Sequence, residues 1–294
     1  MSRIGFIGIG LMGSAIVQRL LAKGHKVQVL GSLSRSNVDA MLALGAQEAA
    51  NAAELTKASE VVMICVGTSD QVEQRMFEAN GVLQGIKPGT LVIDLGTSLP
   101  VSSLQIAADL TDRGAGFLDA AMGRTPAHAR EGKLNLMVGG SDSDFARAQP
   151  LFADIAENIF HVGPVGAGQT LKLINNFYAM TTACAMAEAF VMADKAGLSR
   201  QKLYDVLAAG PNRSGMMDFI KTHAIDAQKS IEFTIGNAAK DIAYYARMAQ
   251  SLGANSALSG ATLAALAAAR DDGWGKALVP EMVDYFAQQA GDEA

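Results

Sequence analysis

"RIGFIGIGLMGSAIVQRLLAKGH", residues 3–25, decides the fold. Its opening, "RIGFIG", has the apolar run of a short buried strand, and its close, "GSAIVQRLLAKGH", has apolar residues at helical spacing. Between them Gly8, Gly10 and Gly13 form G-x-G-x-x-G. In that context each glycine has a task. The first permits a tight turn, the second lets a pyrophosphate approach the backbone, and the third lets helix and strand pack closely, while the N–H groups at the helix start receive the phosphate charge. The turn predicts a dinucleotide site, with Leu11 and Met12 of the same segment as further cofactor contacts.

The alternation repeats downstream. "KVQVL", "VVMICV", "TLVIDL" and "GFLDAAM" read as strands separated by helical stretches such as "VSSLQIAADLTDRG", and "KLNLMVGG" and "ENIFHVG" complete the set. Strands apolar on both faces with crossover helices between them predict an α/β fold, a Rossmann-type doubly wound parallel sheet. After "HVGPVGAGQ", residues 161–169, no strand-like run follows. The division is therefore a dinucleotide-binding domain over 1–163 and an all-α C-terminal domain over 164–294. From Gln169 to about Ala196 neither Gly nor Pro interrupts the pattern, which predicts a helix roughly 40 Å long, enough to cross between domains. Later helices are expected to start near Ser199, Gly215, Gly236, Asn255 and Val279. Small residues in "SALSGATLAALAAARDDG" favour close helix packing and a homo-oligomer, a homodimer or homotetramer.

Composition narrows the partners. With 294 residues, 50% of them hydrophobic, the chain can bury a large core. Its net charge of -5, with no Lys/Arg-rich run, argues against nucleic acid. Cys65 and Cys184 are isolated thiols and the four histidines are scattered, so no disulfide framework and no metal is expected, and the compartment reads as reducing. The glycine-broken N-terminal run suits neither a signal peptide nor a membrane span, which points to a cytoplasmic protein.

The cofactor's ribose is read at the end of the second strand. An NAD-preferring site places Asp or Glu about 20 residues past the fingerprint. Here "VLGSLSRSN" has no acid before Asp39, and Ser32, Ser34, Arg35 and Ser36 supply hydroxyls and one cation. NADPH is expected over NADH on that ground. Val66, closing "VVMICV", joins the cofactor set. For chemistry, Lys172 and Asn176 in "LKLINNFYAM" share one face of the long helix, where an ammonium can polarise and protonate a carbonyl oxygen that the amide orients. Taken alone, such a pair is more often a surface pair.

The order "GFIGIGLMG", "DLGTSLP", "LDAAMGRT", "MVGG", "GAGQTLKLINN" and "NAAKDI" resembles the β-hydroxyacid dehydrogenase family over nearly the whole chain. The resemblance implies that Lys172 is the catalytic acid/base assisted by Asn176, with Asn175 beside it as a substrate contact. It also implies that Lys240 of the "KD" segment lies near nicotinamide and substrate, and that Thr97 and Ser98 border the nicotinamide and substrate.

One departure is informative. Where most relatives read like D-A-P-V-S-G-G, this chain has Asp119 to Thr125 as D-A-A-M-G-R-T, so the usual substrate serine is Gly123 and a glycine is Arg124. Gly123, Arg124 and Thr125 form the candidate substrate loop. "GRT" is similar to the sulfolactaldehyde reductase branch, whose arginine engages a sulfonate, and a guanidinium fork suits such an oxyanion. That branch resembles NAD-type enzymes with an acid after the second strand, which is missing here. The expectation is an NAD(P)-dependent reductase of a short aldehyde or 3-hydroxy compound with an anionic end, a sulfonate first. A carboxylate substrate, as in 3-hydroxyisobutyrate dehydrogenase or the tartronate and succinic semialdehyde reductases, is the alternative. A non-catalytic dinucleotide-binding module is the reading from a different class.

Overall fold

The computed structural model describes residues 1–31, 35–228 and 232–291. Eight strands, β1 (Arg3–Ile7), β2 (Lys26–Leu30), β3 (Gln47–Ala49), β4 (Val61–Ile64), β5 (Leu91–Asp94), β6 (Gly116–Gly123), β7 (Leu134–Gly140) and β8 (Ala156–Gly163), form one sheet in the order β3-β2-β1-β4-β5-β6-β7-β8. The first six run parallel; β7 is antiparallel to β6, and β8 runs parallel to β7. Their connections include α1 (Leu11–Ala22), α2 (Arg35–Ala43), α3 (Ala52–Ala58), α4 (Ser69–Phe77), α5 (Val82–Gly85), α6 (Pro100–Thr111), α7 (Pro126–Glu131) and α8 (Asp142–Ile155).

Helices cover both faces of the sheet because neighbouring strand residues point to opposite sides and are apolar on each. Met63, Leu91, Ile93 and Leu118 belong to one core cluster, with Ile16 and Leu20 of α1. Val62, Ile64, Val92 and Phe117 belong to another, with Leu55 of α3 and Ile106 of α6. The period-two pattern thus has no polar phase. The chain reverses its strand order around β1, and the carboxyl ends beside such a switch point are where doubly wound folds bind their ligands.

Two compact units divide the chain, Met1–Lys172 and Leu173–Ala294. The long helix α9 (Ala167–Lys195, 29 residues) belongs to both, its first residues to the sheet unit. The reason is polar anchoring, described below. In the second unit follow α10 (Arg200–Ala208), α11 (Gly215–Ala224), α12 (Ile235–Ser251), α13 (Ala257–Asp271) and α14 (Met282–Gln289). Ser199, Ser214 and Thr234 each accept a backbone N–H in the following first turn, which fixes where α10, α11 and α12 begin. Ala183, Ala187 and Phe190 of α9 pack with Ile220, Ile242, Leu266 and Met282 as this unit's core.

Candidate active site

The fingerprint turn lies between β1 and α1 at the switch point. Gly8 has φ +98°, and a Cβ there would run into the Cys65 carbonyl of the neighbouring strand's end. A Cβ on Gly13 would strike the Gly8 carbonyl, so these two glycines are demanded by the turn's own packing. Gly10 differs, with nothing within 4 Å of where its Cβ would stand. It is also the N-cap of α1 and makes no side-chain cap, whereas Asn51, Thr68 and Ser141 cap α3, α4 and α8. Space beside the backbone and an uncapped positive helix end are what a pyrophosphate requires, so the residues fit a dinucleotide. Leu11 is exposed at that helix end and Met12 is half-buried beneath it. Val66 Cγ1 would stand 3.0 Å from a Cβ on Gly8, which sets Val66 against the turn.

An acid from a neighbouring strand reaches the end of the second strand. Ser32 and Ser34 lie outside the described residues. Arg35 heads α2, and its Nε donates to Asp39 Oδ1 at 2.8 Å while Nη1 donates to both Glu48 oxygens at 2.8 and 2.9 Å. Glu48 comes from β3, a strand the sequence reading missed. Asn37 Nδ2 donates to the Ile9 carbonyl at 2.9 Å, tying α2 to the fingerprint turn.

Beyond β5, the Gly96–Ser98 loop is held from beneath. Ser98 is 2% exposed; its hydroxyl donates to Asp94 Oδ2 at 2.6 Å and its N–H to Gln169 Oε1 at 2.8 Å. Its side chain is therefore turned inward, and Thr97 is the partly exposed member of the pair. Gln169 Nε2 also donates to the Gly96 carbonyl at 3.1 Å. Asp119, fully buried, accepts from the Gly166 N–H at 2.7 Å and the Gln169 N–H at 2.8 Å. Burial, opposed by these backbone donors and reinforced by the nearby Asp94 charge, raises the Asp119 carboxyl to about 6. Asp94, Asp119 and Gln169 together fix the base of α9, one turn before Lys172. The only signal for them in the sequence is an acid inside an otherwise apolar strand, since a buried carboxylate is rare without dedicated partners.

Lys172 is half-buried on α9, and Asn176 follows one turn later. In the second unit Asn176 is 6% exposed, and its Nδ2 donates to Asp241 Oδ2 at 2.6 Å, while its Oδ1 accepts from Asn175 at 3.2 Å. Lys240 Nζ lies 3.0 Å from the other carboxylate oxygen, Asp241 Oδ1, off the line of a hydrogen bond, and 5.2 Å from the Tyr244 ring centre. Asp241 thus holds two of the expected residues at once, a link that no spacing in the sequence reveals.

The candidate substrate loop follows β6. Asp119 pairs with Asp94 in register, and β6 continues to Gly123, so Arg124 stands past the carboxyl edge of the sheet. Arg124 has φ +76°, a left-handed backbone conformation, which costs a residue with a Cβ about 1–2 kcal/mol. Its Nη1 donates to the Lys133 carbonyl at 2.7 Å and to Glu157 Oε2 at 2.5 Å. Thr125 Oγ1 and His128 Nδ1 are 2.8 Å apart. A Cβ on Gly123 would meet Asn135 at an ordinary 3.4 Å, so packing does not force glycine there.

A doubly wound sheet carrying this turn at its switch point defines a dinucleotide-binding protein. Residues 3–163 match the family described as the NAD binding domain of 6-phosphogluconate dehydrogenase, and residues 166–286 match that described as NAD-binding of NADP-dependent 3-hydroxyisobutyrate dehydrogenase. The 2-hydroxy-3-oxopropionate reductase of Escherichia coli is 31% identical over 255 residues, 86% of each chain. The 3-sulfolactaldehyde reductase of the same organism is 33% identical over 198 residues, 67% of this chain and 66% of the relative. The structure of Mycobacterium tuberculosis 3-hydroxyisobutyrate dehydrogenase with L-serine is similar at a TM-score of 0.89 and 26% identity, over 97% of this chain and 99% of that one. The chain belongs to the β-hydroxyacid dehydrogenase family. It is an NAD(P)-dependent dehydrogenase or reductase acting on hydroxyl groups. Among the described residues no helix is long and apolar enough to cross a membrane.

Proposed function

We propose that this enzyme reduces a short aldehyde with an anionic end group, 3-sulfolactaldehyde first and a carboxylate semialdehyde second. The observation that carries the reading is Arg124, a strained arginine beyond the carboxyl edge where the family pattern has glycine. Strained residues of this kind cluster at active sites and ligand clamps. The 3-sulfolactaldehyde reductase relative supports the sulfonate, and the 2-hydroxy-3-oxopropionate reductase relative supports the carboxylate.

In this proposal the Lys172 ammonium donates a proton to the aldehyde oxygen as the carbonyl carbon is reduced, and the neutral amine is then reprotonated from water. The nicotinamide, when bound, supplies the hydride. Asn176, its amide fixed by Asp241 and Asn175, orients the same oxygen. Lys240, held by Asp241, adds positive charge for the substrate. Arg124 grips the far anion through its donor fork, after exchanging or sharing its contact with Glu157. Gly123 and Thr125 border that grip. A cytoplasmic setting and a homo-oligomeric state complete the proposal.

The test is oxidation of NADH and of NADPH with 3-sulfolactaldehyde, tartronate and succinic semialdehydes, and a neutral aldehyde of similar size. Lys172→Ala should lower kcat by about 10²–10⁴-fold on every substrate with cofactor binding kept. Arg124→Ala should raise KM about 10-fold or more for the anionic substrates alone, with Arg124→Lys a partial rescue. Equal damage to neutral and anionic substrates would remove Arg124 from substrate recognition.

A further inference from the structure

Glu48 stands where the family's cofactor chemistry makes it consequential. Val29 of β2 pairs with Glu48 of β3, and a Cβ on Gly31, the residue directly after β2, would lie 2.7 Å from Glu48 Oε1. The carboxylate therefore reaches across the strand pair to the tip of β2, the place from which a dinucleotide fold reads the 2′ position of the adenosine ribose. Both its oxygens take Arg35 Nη1, and Asp39 takes Arg35 Nε. One cation and two carboxylates leave a formal charge of -1 there.

A 2′-phosphate and a 2′-hydroxyl meet this cluster differently. The phosphate brings further negative charge and needs Arg35, so Arg35 must leave Glu48 or share itself while the Glu48 carboxylate repels the newcomer. The hydroxyl is a donor and finds an acceptor in place. The side chains of Arg35 and Glu48 are 57% and 32% exposed, and exposed ion pairs are weak enough to exchange partners.

We propose that Glu48, reaching in from the neighbouring strand, is a cofactor-selectivity residue: it accepts from the ribose hydroxyl of NAD(H) and restrains Arg35 from the 2′-phosphate of NADP(H). Arg35 favours the phosphorylated cofactor, Glu48 opposes it, and selectivity is their balance. The proposal rests on the dinucleotide site described above.

Calorimetric titration with 2′,5′-ADP and with 5′-AMP reads the site without turnover, and kcat/KM for NADPH and NADH reads it in the working enzyme. Glu48→Gln should raise the ratio of 2′,5′-ADP to 5′-AMP affinity, and of NADPH to NADH kcat/KM, about 10-fold. Gly31→Ala, whose added methyl displaces the end of the Glu48 side chain, should move both ratios the same way by less. Arg35→Ala combined with Glu48→Gln should lose the gain. Ratios within about 2-fold of wild type in Glu48→Gln, with the fold intact by circular dichroism, would overturn the assignment. Wild-type protein binding neither nucleotide would overturn the dinucleotide site and the proposal with it.

Discussion

Arg124 shows how much a single backbone angle adds to a sequence comparison. The sequence reading sets arginine where relatives have glycine; the structure keeps the left-handed conformation that glycine takes freely, φ +76°. A stability contrast follows. Arg124→Ala keeps the misfit and loses the exposed Glu157 pair, whereas Arg124→Gly loses the pair but relieves the misfit. The glycine variant should be more stable than the alanine variant by about 1 kcal/mol, read as a higher urea midpoint at unchanged slope. Both should lose the anionic substrate to the same degree. If the two variants unfold alike, the loop relaxes around residue 124 and the strain does not exist in solution. At this scale Lys172, Asn176 and Lys240 could be named as candidates because motif order points to them, while Asp241, which joins two of them, could not. Its partners lie at residues 176 and 240, and long-range hydrogen bonding leaves no periodicity to read.

Among the elements, the long uninterrupted pattern after Gln169 was the plainest in the sequence, and α9 indeed runs Ala167–Lys195. Strand β3 was invisible because "QEA" is three residues long and polar, held by pairing with β2 rather than by apolar patterning. The reversal of β7 was invisible for another reason: an apolar strand reads the same in either direction. The root of α9 also escapes pattern reading, and it is pH-sensitive. The folded Asp119 carboxyl, at about 6, lies above its ordinary 3.8, so the folded state holds the proton more tightly than the unfolded chain. Its contribution is fully present below about pH 4 and is lost as pH rises through about 6, by roughly 3 kcal/mol in total. The stability of wild type relative to Asp119→Asn should therefore fall by that order between about pH 4 and about pH 7, measured by urea unfolding of both proteins. A difference that does not change with pH would mean that the Gly166 and Gln169 N–H donors outweigh burial and keep the carboxylate ionised throughout.

For the whole molecule, the proposed homo-oligomer has a surface to account for. Leu171, Ile174, Tyr178 and Met192 of α9 are 38%, 45%, 69% and 63% exposed. At 100° per residue they fall within one narrow stripe of the helix. Apolar side chains repeated along a helix in this way ordinarily meet another apolar surface; in the proposed homo-oligomer a second copy of the chain would present the same stripe to the first, as a two-fold contact requires. Light scattering on the eluting wild-type protein should give a mass that is a multiple of the 30.6 kDa chain. Tyr178→Glu with Met192→Glu puts charge into the stripe at two exposed positions outside the core clusters, so each subunit should keep its helical circular dichroism while the mass falls to that of one chain. A wild-type mass of one chain at micromolar concentration would leave the stripe without a partner. A double variant that keeps the wild-type mass would move the contact elsewhere, the alanine-rich α13 being the next surface to charge.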